Sequence, residues 1–267
     1  MIELHKAWGQ GGLAMSGHSK WSSIKHQKGV TDAKRGQLFT KLTREIIAAA
    51  REGGGSPDAN FRLRLAIQKA RDSNMPMDNI QRAIQKGSGG GEGSNMVELL
   101  LGGRGPGGSA ILVQALTDNR NRTVQEVRNL FSRSGGNLGD SSGVAWLFEQ
   151  KGLIAVKPGE LNPEDLALQA IDAGAEDVKV EQDIVEIYTL PDKLEAVRKE
   201  LDRQKVPVEN AQLSMLAKTL VPLEEKASLQ TLKLLDKLEE LDEVQNVTAN
   251  VDFSDEVLEK YQSGIQV

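Results

Sequence analysis

Cysteine is absent from this chain. That excludes disulfide staples, thiolate metal sites and cysteine nucleophiles together, and it fits a reducing compartment. Histidine is nearly as scarce. His5, His18 and His26 are the three present, and none pairs at a close helical or turn spacing, so a histidine-based metal site lacks its ligand set. No apolar run approaches the roughly 20 residues needed to cross a bilayer. The first fourteen residues, MIELHKAWGQGGLA, lack both an apolar core and arginine, and so predict neither a signal peptide nor a mitochondrial presequence. Met15 stands directly before a dense polar and basic stretch. This predicts that translation begins there, with a disordered extension over residues 1–14 as the alternative.

What is present is an uneven distribution of charge. The chain has 267 residues, enough for two or three hydrophobic cores, and a net charge of −5. Residues 15–90 hold 14 basic and 6 acidic side chains, a net of +8. Residues 91–267 hold 18 basic and 31 acidic ones, a net of −13. A basic region joined to an acidic one points to a polyanionic partner at one end only.

Periodicity divides the chain in the same place. Asp32 offers a helix N-cap, and Leu38, Leu42, Ile46 and Ala49 then fall on one helical face until Gly53–Gly55. A second helix follows Pro57 and Asp58, with Leu63, Ile67 and Ala70 inward. A third starts near Pro76, turns Met77, Ile80 and Ile84 inward, and ends at Gly87 in the C′ position. Three short amphipathic helices make a basic helical bundle over 15–92, closed by the glycine-rich boundary at Gly87–Gly93. Strands are predicted at Val97–Leu101 and Ala110–Leu116, a helix at Thr123–Ser134 with Val124, Val127, Leu130 and Phe131 inward, and a strand at Val144–Phe148. The order over 151–216 is strand 153–156, helix 163–173, strands 177–181 and 184–189, helix 191–204 and strand 211–216. That is the β-α-β-β-α-β order of a ferredoxin-like unit. A strand near Thr219–Val221, a helix Glu224–Leu241 and a strand Val244–Val251 are left to complete the earlier sheet. The fold class is therefore multi-domain α+β. A helical bundle precedes two α+β domains, one ferredoxin-like (151–216) and inserted in the other (93–150 plus 217–253), with a C-terminal tail from 254 to 267.

No catalytic constellation assembles. Gly103, Gly105 and Gly108 satisfy G-x-G-x-x-G, but a β-rich segment follows them and Pro106 lies inside, so a hairpin turn is predicted rather than a pyrophosphate cradle. No Gly-Lys-Ser/Thr closes the Gly87–Gly93 stretch. The acidic residues lie mostly on solvated helix faces. The chain is read as a non-enzyme, with no cofactor and no metal. The positive signal is cationic. At 100° per residue, Lys34, Lys41, Arg44 and Arg51 share roughly a 100° arc of the first helix, apart from its apolar arc. Upstream, Lys20, Lys25 and Lys28 surround Trp21, His18 and His26, with Ser19 among several hydroxyls. Lysines neutralise phosphates, and a tryptophan can stack on an unpaired base or, equally, anchor a core. Nothing in these residues selects DNA over RNA.

The segment MSGHSKWSSIKHQKGVTDAKRGQLFTKLTREI, continued by GGGSPDANFRLRLAIQKARDSNMPMDNIQRAIQKG, resembles the opening of the YebC/PmpR family. That family extends to the mitochondrial translational activator of cytochrome c oxidase. The resemblance returns at TDNRNRTVQEVRNLFSRSGGNLG, VAWLFEQKG and DEVQNVTANVDF and covers Met15 to about Tyr261. It implies three domains, a cytoplasmic location and no catalytic activity. It further implies a DNA-binding transcriptional regulator or, alternatively, a ribosome- and rRNA-binding translation factor that promotes passage through difficult stretches such as consecutive prolines. Of the family's motif positions, Gly17, His18, Ser19, Lys20, Trp21, Lys25, His26, Lys34 and Arg35 are implied nucleic-acid contacts. Lys28, Lys41, Arg44 and Arg51 join them from the charge pattern. One departure stands out: TANVD precedes Phe253 where the family carries an aromatic-rich stretch.

Overall fold

In the computed structural model, residues 32–89, 96–159, 161–181 and 184–264 are described. Three helices come first: α1 (Asp32–Gly53), α2 (Phe61–Asp72) and α3 (Met77–Ser88). Leu42, Ile46, Ala49 and Ala50 of α1 meet Leu63, Ala66, Ile67 and Ala70 of α2 and Ile80 and Ala83 of α3 in one core. Asn60 links the first two helices. Its Oδ1 accepts from the Leu63 amide at 3.0 Å, capping α2, while its Nδ2 donates to the carbonyls of Ala49 and Gly54 at 2.7 and 2.8 Å. It thereby satisfies backbone groups that helix ends leave open.

Three details of the bundle depart from the pattern expected from sequence. Leu38 is 36% exposed, because α1 has 22 residues and its partners 12 each, so the first turns of α1 extend past them. Met77 is exposed, and Met75 fills the core corner in its place. Asn74, at φ 58°, turns the chain so that the Met75 amide reaches the Ala70 carbonyl at 2.9 Å. Gly87 is a helical residue rather than a C′ terminator. A Cβ there would lie 2.6 Å from the Ile47 carbonyl oxygen and 2.7 Å from Ala50 Cβ, so its smallness is what lets α3 touch α1.

The first α+β unit carries β1 (Val97–Arg104), β2 (Ala110–Thr117), α4 (Arg120–Arg133), β3 (Asn137–Gly139) and the short helix α5 (Ser142–Ala145). The G-x-G-x-x-G segment is the turn of the β1–β2 hairpin. Gly107 and Gly108 have positive φ, and the Gly105 amide donates to Ser109 across it at 2.8 Å. Residues 144–148 do not form the expected strand. The Asp140 carboxylate caps the Ser142 amide at 3.1 Å, and Val144 seats itself where a Cβ on Gly102 would be 2.5 Å away. The strand begins only at Phe148.

The second unit is β4 (Phe148–Val156), α6 (Pro163–Asp172), β5 (Asp177–Glu181), β6 (Ile184–Thr189), α7 (Leu194–Arg203) and β7 (Val208–Ala217). Its sheet runs β5-β6-β4-β7, all antiparallel, which is the ferredoxin-like order. Thereafter come β8 (Val221–Pro222), α8 (Glu225–Glu239), β9 (Val244–Ala249), β10 (Val251–Asp252) and α9 (Asp255–Gln262). Strand β9 pairs with β2, giving the sheet order β3-β1-β2-β9, although the whole ferredoxin-like unit lies between β2 and β9 in sequence. The expected strand Val244–Val251 is broken at Asn250, whose Oδ1 accepts from the Ala110 amide at 2.7 Å. The segment expected as a tail from 254 is largely helical. Ser254 caps α9, and Val257 and Leu258 are buried against the core that Phe131, Leu235 and Phe253 also share.

The two glycine environments predict opposite signs. Gly36, with open space around its Cβ position in α1, should become more stable by up to about 1 kcal/mol as alanine. Gly87→Ala should lose about 1–3 kcal/mol through overpacking. Urea midpoints of the two variants check this.

Candidate nucleic-acid interface

Of the residues nominated from sequence, Gly17, His18, Ser19, Lys20, Trp21, Lys25, His26 and Lys28 lie outside the described residues. The other five are on α1. Lys34 and Arg35 are exposed in its first turns. Lys41, Arg44 and Arg51 follow along the helix, but the acidic part of the chain covers much of their arc. Lys41 Nζ donates to the Glu239 carbonyl and Gln37 Nε2 to the Glu240 carbonyl. Both are at the C-terminal end of α8, where unpaired carbonyls and the helix dipole favour a cation. One turn further, Arg44 Nη2 lies 3.4 Å from Glu243 Oε1, and Arg122 Nη2 of α4 reaches the same oxygen at 2.9 Å. Burial works against the Arg122 charge, but Glu243 and then Asp118 outweigh it and hold its pKa above the ordinary value. Arg51 donates to the Met96 carbonyl at 3.3 Å.

Helix α2 spreads the same kind of contact. Arg62 pairs with Glu52 and with Glu98 of β1. Arg64 meets Glu195 of α7 at 2.8 Å, while Phe61 and Leu65 pack against the ferredoxin-like core. The basic bundle is therefore held by both α+β units, largely through its own cations. A lone helix read from sequence shows one apolar and one cationic face, but not that the cationic face meets Glu243 some 200 residues later. Sequence reasoning also passed over Arg71, Arg82 and Lys86, which are exposed on α2 and α3. The i, i+4 spacing of Arg82 and Lys86 is the signal that could have marked them. Trp146 was not nominated either, and it is 65% exposed.

Among the described residues, no group of three His, Asp or Glu side chains is placed to hold a metal ion. A small polar cleft of about 120 Å³ between α2 and α7, lined by Gln68, Lys69, Asp72, Arg198 and Asp202, is well below the size of a cofactor site. No helix of the described residues is long and apolar enough to cross a membrane.

The Arg64–Glu195 contact predicts a pH-dependent contribution to stability. Burial alone would raise the Glu195 pKa, but Arg64 and Lys199 outweigh it and hold the carboxyl below the ordinary range. A depressed folded-state pKa contributes stability above the unfolded value of about 4.3, and that contribution is lost as pH falls through the folded value. The stability difference between the natural protein and Glu195→Gln should accordingly be constant above about pH 5 and shrink toward pH 3. Urea midpoints across that range measure it.

Comparison with known proteins places these features in a family. Residues 19–90 match the TACO1/YebC protein N-terminal domain, and residues 96–251 match the TACO1/YebC second and third domain. A probable transcriptional regulatory protein of Dehalococcoides mccartyi is 59% identical over 93% of this chain and 99% of its own length. One from Chloroflexus aurantiacus is 53% identical, covering 92% of this chain and 99% of that one. The crystal structure of a conserved hypothetical protein from Aquifex aeolicus superposes with a TM-score of 0.83 at 47% identity, covering 88% of this chain and 98% of the other. By these matches, which together take in the bundle and both α+β units, the chain belongs to the TACO1/YebC family.

Proposed function

We propose that this protein regulates gene expression by binding nucleic acid through its basic N-terminal region, acting as a binding protein rather than an enzyme. The reading rests chiefly on charge: a net of +8 over residues 15–90 is joined to −13 over the remainder. Lys34 and Arg35, exposed at the start of α1, continue the cationic run that begins at Lys20. Phosphate contact by such residues supplies affinity without sequence preference. The relatives' designation as probable transcriptional regulatory proteins supports duplex DNA as the target and transcription as the level of control.

A second reading, a ribosome-bound translation factor that contacts rRNA, draws support from Trp146. Its exposed indole beside Lys218, whose Nζ donates to the Trp146 carbonyl at 3.0 Å, suits an unpaired base better than a closed duplex. In the first reading the acidic units face away from the phosphate chain; in the second the Trp146 corner meets RNA and the rest of the acidic surface faces basic protein or solvent.

The test is a salt titration of the full chain against duplex DNA and against single-stranded RNA. Lys34→Gln/Arg35→Gln should flatten the slope of log K against log[salt] by about 1.4–1.8, according to whether the partner is single- or double-stranded. An unchanged slope with an intact fold refutes phosphate contact at these positions, and a preference for one partner separates the two readings.

A further inference from the structure

The middle of the α1 cationic stripe already has partners within the chain. Lys41 and Gln37 lie on the carbonyl end of α8, and Arg44 shares the Glu243 carboxylate with Arg122. These contacts cover the middle of the α1 stripe: the Arg44 side chain is 21% exposed and that of Glu243 11%. They do so incompletely. Arg44 Nη1 is buried with no hydrogen-bond partner, as is Gln245 Nε2 on β9, the strand that follows Glu243. A guanidinium with one buried nitrogen unmatched is less well satisfied than one facing a phosphate, which offers several acceptor oxygens in a geometry that fits the guanidinium fork.

We propose that the end of α8 and Glu243 form an internal competitor for the bundle's phosphate-binding stripe, so that Lys41 and Arg44 reach nucleic acid only when the bundle swings off this acidic corner. The inference rests on the nucleic-acid reading above and adds how that binding is controlled. Carbonyls and carboxylate occupy the α1 cations in the closed arrangement, and phosphodiester oxygens replace them in the open one. The two sets cannot be held at once, because Lys41 and Arg44 serve both. Partly exposed ion pairs of this kind are individually weak and screened by salt, so a polyanion of high charge density can displace them. Arg122 stays behind with Glu243, which keeps that carboxylate paired when Arg44 leaves. The same corner selects against weak or short anions. A ligand must recover more than the closed contacts supply before the equilibrium shifts.

Because the chain has no cysteine, the closed arrangement can be locked with a single engineered pair. Gln37→Cys/Glu240→Cys, joined by a short bis-maleimide in the full-length protein, fixes α1 to the end of α8. Linked and unlinked forms are titrated against fluorescein-labelled duplex DNA and single-stranded RNA of about 30 units. The linked form should bind at least about tenfold more weakly, with a salt slope flatter by about 1.4–1.8 from the loss of two phosphate contacts. Glu243→Gln, which weakens the hold on Arg44, should bind more tightly than the natural chain. Equal binding by linked and unlinked forms overturns the proposal. So does weaker binding with an undiminished slope, since Lys41 and Arg44 would then not be reaching phosphate. If the unlinked protein binds neither polymer, the nucleic-acid reading itself fails and this inference with it.

Discussion

Lys41 and Arg44 meet the carbonyl end of α8 and the Glu243 carboxylate, and the seating of the bundle on the first α+β unit depends on that meeting of opposite charges. A three-helix bundle of this size has a small apolar core, and its remaining surface is cationic. The first α+β unit has the larger core, and the two α+β units together carry the acidic excess. Electrostatic attraction and a modest apolar seam, Phe61 and Leu65 against the ferredoxin-like core, together hold the bundle in place. The ion pairs are partly exposed. They therefore orient the bundle more than they stabilise it, and they weaken as ionic strength rises.

This division of labour explains why the apolar architecture was largely legible from sequence and the interface was not. Helical spacing of Leu42, Ile46 and Ala49 and the alternating order of strands and helices over 153–216 carry their own periodicity, so the bundle and the ferredoxin-like order emerge from local pattern. The misplacements came where tertiary contact overrides local preference. Met75 displaces Met77 because Asn74 turns the chain. Gly87 reads as a terminator, yet it is a helix–helix contact. The stretch before Phe148 curls into a helix because Gly102 leaves room for Val144. Likewise, no period in the sequence links Arg44 to Glu243 or Arg64 to Glu195, since these partners are about 200 and 130 residues apart and meet only once the units dock.

A basic region whose cations are balanced internally differs from a permanently open one. An open stripe binds any polyanion in proportion to its charge. On the proposed exchange, a stripe partly occupied by the Glu239 carbonyl and the Glu243 carboxylate would set a threshold, favouring dense phosphate arrays over scattered charges.

Opening of the bundle can be observed directly by double electron–electron resonance between spin labels at Gln85→Cys on α3 and Lys237→Cys on α8, both exposed positions. Without ligand at low salt, one narrow distance distribution is expected, reflecting α1 seated on the end of α8. Saturation with the preferred nucleic acid should shift that distribution to longer distances, and Glu243→Gln should show part of the shift without any ligand. A distribution that stays put while nucleic acid is demonstrably bound would contradict the exchange of carboxylate and carbonyl partners for phosphates.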